Sequence, residues 1–289
     1  MIWVFRVLGR LPLWLNHAIG FALGWLVWCG SKRHRRLTRE NVQTYARRME
    51  LPATQHLLRA AIAEQGKGMT ELAIAWTAPP ERLWGMVREG DCIGWEHVDA
   101  AKATRRPIIL VTPHLGCYDI AGRYIAGRIP ITALYRPPKQ KWLDAIMQLG
   151  RARAGATTAS ADAGGVRVLL KTLKGGGNIM VLPDQVPGVG DGVWVKFFGR
   201  PAYTMTLLPR LAASANAVVL FFFAERLTHG KGYRVHIEPM PEPYSTDRKI
   251  AAQQTNSMVE KLVTMAPAQY LWGYNRYKHP AGAPRPDVT

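Results

Sequence analysis

The stretch Pro107-Ile108-Ile109-Leu110-Val111-Thr112-Pro113-His114-Leu115-Gly116-Cys117-Tyr118-Asp119 carries a short apolar run straight to a histidine, with an acid five positions later. Ile108 to Val111 is β-branched or leucine and is bounded by prolines, so it reads as a buried strand. Pro113 ends that strand, and Tyr118 to Ala126 takes up helical spacing. His114 therefore falls where the carboxyl end of a strand meets a helix, the edge at which open α/β sheets bind ligands. Asp119, about one helical turn beyond His114, is expected to turn back and accept a hydrogen bond from one imidazole nitrogen. That bond fixes the tautomer and leaves the other nitrogen to take a proton from a substrate hydroxyl. The competing reading is a histidine satisfied by solvent or by the core.

Outward from this stretch, strands and helices alternate. Strand-like runs are Ile108 to Val111, Ile131 to Tyr135, Asn178 to Leu182, Val218 to Ala224 and Tyr233 to Ile237. Helix-like runs are Tyr118 to Ala126, Lys141 to Arg153, Gly165 to Lys174, Thr204 to Ala215 and Arg248 to Met265. This order predicts an α/β sandwich around a largely parallel sheet. Ahead of it, Leu37 to Met49 and Thr54 to Trp76 carry apolar residues at three- and four-residue steps, as helices do.

Three further segments fall at the predicted strand ends, on the same edge as His114. Tyr135-Arg136-Pro137-Pro138 leads into a helix that closes with Gly150-Arg151-Ala152-Arg153. Arginines at these points suit phosphates or an anionic head group, the alternative being a solvated basic face. Leu182-Pro183-Asp184-Gln185 places Asp184 near the sheet edge, to orient an arginine or receive a substrate hydroxyl, or else simply to turn the chain. Gly192-Val193-Trp194-Val195-Lys196-Phe197-Phe198-Gly199-Arg200-Pro201 is too apolar for an ordinary surface turn. Its Phe197, Phe198 and Arg200 are expected to line an acyl-chain channel or to dip into a lipid surface.

With 38 Lys plus Arg against 20 Asp plus Glu, the 289-residue chain carries a formal charge of +18, which calls for an acidic partner. Ten tryptophans, several of them in apolar runs (Trp3, Trp14, Trp25, Trp28), favour a membrane interface over nucleic acid, and no nucleic-acid-binding signature is present. The three cysteines Cys29, Cys92 and Cys117 have no metal-ligand spacing and fit a reducing compartment. Cys117 follows His114 by three residues, so a thiol nucleophile is the rival to general-base chemistry.

Leu11 to Gly30 has no formal charge, and Lys32-Arg33-His34-Arg35-Arg36 follows at once. A helix of that length spans roughly 30 Å, enough for a bilayer core, and the basic cluster keeps the downstream residues cytoplasmic. Residues 1–30 are thus expected to form a membrane anchor and residues 31–289 the catalytic domain. A cleaved lipoprotein signal fits less well, because Trp28 precedes Cys29 where a small residue is needed. Pro12, Asn16 and His17 leave open a tilted or in-plane helix.

Pro-His-x4-Asp, Tyr-Arg-Pro, Gly-Arg-x-Arg, Leu-Pro-Asp-Gln, Phe-Phe-Gly-Arg-Pro-x-x-Thr and the closing Ala266-Pro267-Ala268-Gln269-Tyr270-Leu271-Trp272-Gly273-Tyr274-Asn275-Arg276-Tyr277-Lys278 occur in that order. Together they resemble the late acyltransferases of lipid A biosynthesis, the lauroyl/myristoyl acyltransferase family, over nearly the whole chain. The resemblance implies a glycerolipid-acyltransferase-like fold with an N-terminal membrane helix. His114 and Asp119 would be its catalytic pair, Arg151 the arginine beside the reacting ester, and Asp184 the acid of its Pro-Asp-Gln turn. Tyr135, Arg136, Arg153, Gln185, Phe197, Phe198 and Arg200 would contact substrate.

The resemblance further implies acyl carrier protein as donor and a tetra-acylated lipid A precursor as acceptor. Transfer would take place at the cytoplasmic face of the inner membrane, in lipopolysaccharide synthesis, with no metal or cofactor. Asp119 stands where many members carry Glu, and the ending around Gln269 to Lys278 departs from the usual pattern. Both departures bear on the acceptor, for which a lysophospholipid, glycolipid or aminolipid is the alternative. A basic, non-enzymatic membrane scaffold is the rival outside enzymology.

Overall fold

The computed structural model describes residues 2–88, 90–135, 141–153 and 155–286. The chain opens with helices α1 (Ile2–Arg10), α2 (Leu13–Gly30), α3 (Lys32–Arg48), α4 (Thr54–Thr77) and the short α5 (Pro80–Trp84). Strands and helices then alternate: β1 (Cys92–Ile93), α6 (Trp95–Ala103), β2 (Ile108–Val111), α7 (Tyr118–Ala126), β3 (Ile131–Tyr135), α8 (Lys141–Arg153), β4 (Ala156–Ser160), α9 (Ala163–Lys174) and β5 (Asn178–Val181). After β6 (Gly192–Phe197) and β7 (Arg200–Met205) come α10 (Leu207–Ala215), β8 (Val218–Arg226), β9 (Tyr233–Pro239) and α11 (Arg248–Met265).

Seven strands form one sheet in the order β1-β9-β8-β2-β5-β3-β4. All neighbouring pairs are parallel except β8 with β9. Residues 227–232 explain the exception, because so short a link cannot make the crossover that a parallel pair requires. The expected largely parallel α/β sandwich is therefore the observed architecture.

β2 lies at the centre and all four of its residues are buried. Its side chains alternate between two cores. Ile108 and Leu110 pack with Ile74, Trp76, Ile120 and Tyr124, beneath α4 and α7. Ile109 and Val111 pack with Leu169, Leu211, Val259 and Leu262, beneath α9, α10 and α11. Each such side chain contributes about 1.5–3 kcal/mol of burial.

Two expectations change. The run Thr204 to Ala215 is not one helix: Thr204 and Met205 close strand β7, and α10 begins only at Leu207. The aromatic segment is a β-hairpin, not a loop. Phe197 pairs with Arg200, and Phe198 (φ 47°) and Gly199 (φ 76°) both adopt left-handed backbone between them, as a two-residue hairpin turn requires. Phe197 and Phe198 are only 1% and 3% exposed. They pack on Tyr45, Tyr270 and Trp272 rather than facing lipid or an open channel. Apolar area at the hairpin tip is buried because α3 and the C-terminal segment close over it.

Candidate active site

β2 and β5 are parallel neighbours with Val111 opposite Val181. Each strand ends one residue later in a residue preceding proline, and each third residue past the paired valines is polar: His114 on one loop, Asp184 on the other. The amide of Thr112 donates to the carbonyl of Val181 at 3.2 Å, so the two chains are still held together as they leave the sheet. This register sets the two side chains face to face. His114 Nδ1 donates to Asp184 Oδ1 at 2.8 Å, and the His114 backbone N–H donates to Oδ2 at 2.8 Å. On the far side of the ring, the Gln185 amide donates to Nε2 at 3.1 Å. The ring of Tyr118 packs edge-on against the imidazole, with centroids 4.9 Å apart.

The acid that holds His114 is therefore Asp184, and the expected bond from Asp119 is not made. The reason lies in the intervening backbone. Gly116 N–H donates to Gln269 O at 3.1 Å and Cys117 N–H to Ala224 O at 3.0 Å, which pins the loop in extended form along β8. A Cβ on Gly116, whose φ is +58°, would sit 1.9 Å from the Ala224 carbonyl, so this approach needs glycine. The extension carries Asp119 away into the first turn of α7, where it is buried and the helix N-terminus favours a carboxylate.

Asp184 is buried, and burial alone would raise its carboxyl. The charge of His114, both His114 hydrogen bonds and the charge of Arg276 outweigh this and hold it below the usual carboxylate value. Arg276, itself buried, is fixed by bonds to Tyr203 O at 2.9 Å, Thr204 Oγ1 at 2.7 Å and Asn256 Oδ1 at 3.1 Å. Beside it, Tyr270 has its hydroxyl pushed well up, by burial first and by the Asp184 charge next. Phe197 lies under Arg276, 5.1 Å from ring centre to guanidinium, so the hairpin supports the site from beneath. Tyr270, Arg276, Asn256 and Thr204 were not singled out as site residues, although Tyr270 and Arg276 lie in the closing motif.

Tyr135 is buried at the end of β3, in the strand beyond β5. Arg200 is exposed and stacks on Tyr277 at 4.4 Å. Arg136 and the side chains of Arg151 and Arg153 lie outside the described residues. Among the described residues, no three His, Cys, Asp or Glu side chains are gathered so as to hold a metal ion.

Cys117 does not present a nucleophile. It is buried, and desolvation, with Glu71 nearby, pushes its thiol well above the usual value. A nitrogen base with a fixed tautomer at a ligand-binding sheet edge is what acyl, phosphoryl or glycosyl transfer to a hydroxyl needs.

The profile of the bacterial lipid A biosynthesis acyltransferases matches residues 1–279. The chain belongs to that family. The Escherichia coli K12 lipid A biosynthesis lauroyltransferase is 28% identical over 278 residues, covering 95% of this chain and 89% of its own length. The lipid A biosynthesis palmitoleoyltransferase of the same organism is 27% identical over 281 residues, covering 94% and 89%. A lipid A biosynthesis acyltransferase of Haemophilus influenzae is 28% identical over 271 residues, covering 92% and 79%. Membership of this family makes acyl transfer the chemistry of the chain.

Proposed function

We propose that this acyltransferase moves a fatty acyl group from the thioester of acyl carrier protein to a hydroxyl of a lipid A precursor, at the cytoplasmic face of the inner membrane. The observation that carries the reading is the His114 tautomer. With Nδ1–H committed to Asp184, Nε2 holds the free lone pair, and the Gln185 amide stands where a substrate O–H would point.

The acceptor hydroxyl displaces that amide and gives its proton to Nε2. Its oxygen attacks the thioester carbonyl carbon, and the tetrahedral intermediate collapses with loss of the thiolate. The thiolate takes the proton from the imidazolium, leaving an ester and the free carrier-protein thiol. Asp184 stays ionised and stabilises the imidazolium. The amides of His114, Gly116 and Cys117 are all engaged within the fold. These three donors are not free for the oxyanion, and Arg151 is the residue proposed to stabilise it. Tyr135, Arg136, Arg153 and Arg200 are proposed to receive the acceptor's anionic groups, and Asp119 to act from α7. The charge of +18 suits an acidic donor protein, an anionic acceptor and an anionic leaflet at once.

The test is an assay of purified full-length enzyme with acyl carrier protein thioesters and a tetra-acylated lipid A precursor, read by mass spectrometry of the lipid. Addition of one acyl chain by the native protein and none by His114→Ala is expected. Transfer only to a lysophospholipid, or equal transfer by His114→Ala, would overturn the reading.

A further inference from the structure

Helix α2 has 18 residues and no charged side chain, the composition of a membrane span. Its packing is that of a domain helix. One stripe, Leu13, Asn16, His17, Gly20 and Gly24, is buried. Gly20 and Gly24 form a G-x-x-x-G step, and Cβ atoms there would lie 2.5 Å from Lys67 Cα and 2.3 Å from the Ile62 carbonyl. The backbones of α2 and α4 thus touch, as small-residue steps allow.

Polar groups lock the contact. Asn16 donates to Thr70 O at 3.2 Å, and Thr70 Oγ1 donates back to Asn16 O at 3.1 Å. His17 meets Glu71 at 2.6 Å, and the same carboxylate receives Arg226 in a forked pair at 2.6 and 2.8 Å and the Tyr233 hydroxyl at 2.8 Å. Burial alone would raise the Glu71 carboxyl, but Arg226 and His17 bring it down to about 2. Arg82 donates to Gly9 O at 2.6 Å and to Leu11 O, which fixes the corner between α1 and α2.

A helix tied this way cannot cross a bilayer without drawing α4 in with it, including Glu64 and Lys67, and charges at that depth are strongly disfavoured. At 1.5 Å per residue α2 is also only about 27 Å long, short of the ~30 Å hydrocarbon core. Yet its outer side is apolar. Of fifteen large hydrophobic residues exposed among the described residues, seven fall on α1 and α2: Trp3, Val4, Val7, Trp14, Ile19, Phe21 and Leu26. Exposed Arg6, Arg10, Lys32, Arg33, Arg36 and Arg39 bracket them. At the carboxyl end of α2, a cleft of about 490 Å³ has a mixed lining, with Trp25, Trp28 and Leu58 beside Gln43, Gln55 and the cationic Arg39 and Arg59.

We infer that α1 and α2 form a monotopic docking face that lies along the surface of an anionic bilayer, with both ends of α2 on the same side. The occupant is a phospholipid leaflet: the exposed tryptophans and aliphatics enter the acyl region, and the flanking arginines and lysines meet the phosphates. The inference rests on the proposed function only in taking the bacterial inner membrane as that surface.

The test places single cysteines in the full-length protein, Arg10→Cys and Lys32→Cys, each in a Cys29→Ser background, one on either side of α2. Inverted and right-side-out inner-membrane vesicles are treated with a membrane-impermeant maleimide, and the labelled residue is located by mass spectrometry. Labelling of both positions in inverted vesicles and neither in right-side-out vesicles is expected. Labelling of the two positions from opposite sides, or recovery of the protein without membranes, overturns the inference. Acyl transfer is read separately in the same inverted vesicles. Its absence alongside same-side labelling would count against the catalytic reading and leave the topology standing.

Discussion

His114 and Asp184, seventy residues apart in sequence, form a two-point clamp in which one carboxylate binds both the ring and the backbone N–H of the histidine. The clamp follows from the in-register pairing of two parallel strands that leave the sheet through matching proline turns. Its ring bond sets the tautomer, and its backbone bond sets where the ring starts from.

On the proposed mechanism Asp184 acts through His114, so the two should be thermodynamically coupled and Asp119 should not. His114→Ala is expected to lower kcat by about 10²–10⁴-fold, the usual contribution of a positioned base. Asp184→Asn should fall in the same range with little change in KM for the donor. In the His114→Ala background Asp184→Asn should then be nearly silent, whereas Asp119→Asn should add its own effect. The measurement is a double-mutant cycle on kcat. Additivity for Asp184 and silence for Asp119 would return the imidazole to Asp119.

Cys117→Ser should retain activity within a few-fold, since the thiol is buried with its ionisation suppressed. Steady-state kinetics on the folded variant decide it. Complete loss of transfer with an unchanged circular dichroism spectrum would restore the thiol-nucleophile reading.

The sheet was legible because Ile108 to Val111 and Val218 to Ala224 are continuous apolar runs, as strands buried on both faces must be. His114 and Asp184 were legible as members of one edge, since both follow proline at a strand end. Their mutual bond was not, because it depends on β2 and β5 being neighbours, and strand order is a tertiary choice. Local proximity favoured Asp119, and the tertiary pinning of Leu115 to Cys117 onto β8 and the 266–270 segment defeated it. The tip of the hairpin misled for a similar reason: Phe197 and Phe198 read as exposed apolar residues until α3 and the C-terminal segment are known to cover them. Gly20 and Gly24 of α2 carried the signal that it packs on another helix, masked by a composition that suits lipid equally well.

The hairpin prediction follows from that burial. Phe198→Ala should destabilise the protein by about 3–5 kcal/mol, as truncation of a buried aromatic does, and should leave binding to anionic vesicles unchanged. Gly199→Val, at φ +76°, should lower stability as well through backbone strain. Urea denaturation and vesicle sedimentation separate the two properties. A Phe198→Ala protein of native stability that no longer sediments with vesicles would put the hairpin tip back in the lipid.

Glu71 offers a test of what holds α2 to the domain. Its carboxyl is brought down to about 2 in the folded protein, from an ordinary value of 4.5, by Arg226 and His17 acting against its burial. A depressed folded value means that the stabilisation is fully present above about 4.5 and is lost as the pH falls from there towards about 2. Glu71→Gln should therefore be less stable at pH 7 by about 3–5 kcal/mol, because it breaks the forked pair and leaves the buried Arg226 guanidinium with Glu64 alone as its anion. The same variant should lose less stability than the native protein between pH 4.5 and pH 3, having no carboxylate left to protonate at that point. Urea midpoints measured across this range report the difference, and other carboxylates, Asp184 included, cancel between the two proteins. Amide hydrogen exchange should show the protection of residues 13–24 falling first on acidification, since the Glu71 carboxylate joins that helix to β8 and β9. Parallel pH profiles for the two proteins, or exchange in α2 that ignores Glu71→Gln, would mean that the glycine contact with α4 holds the helix by itself.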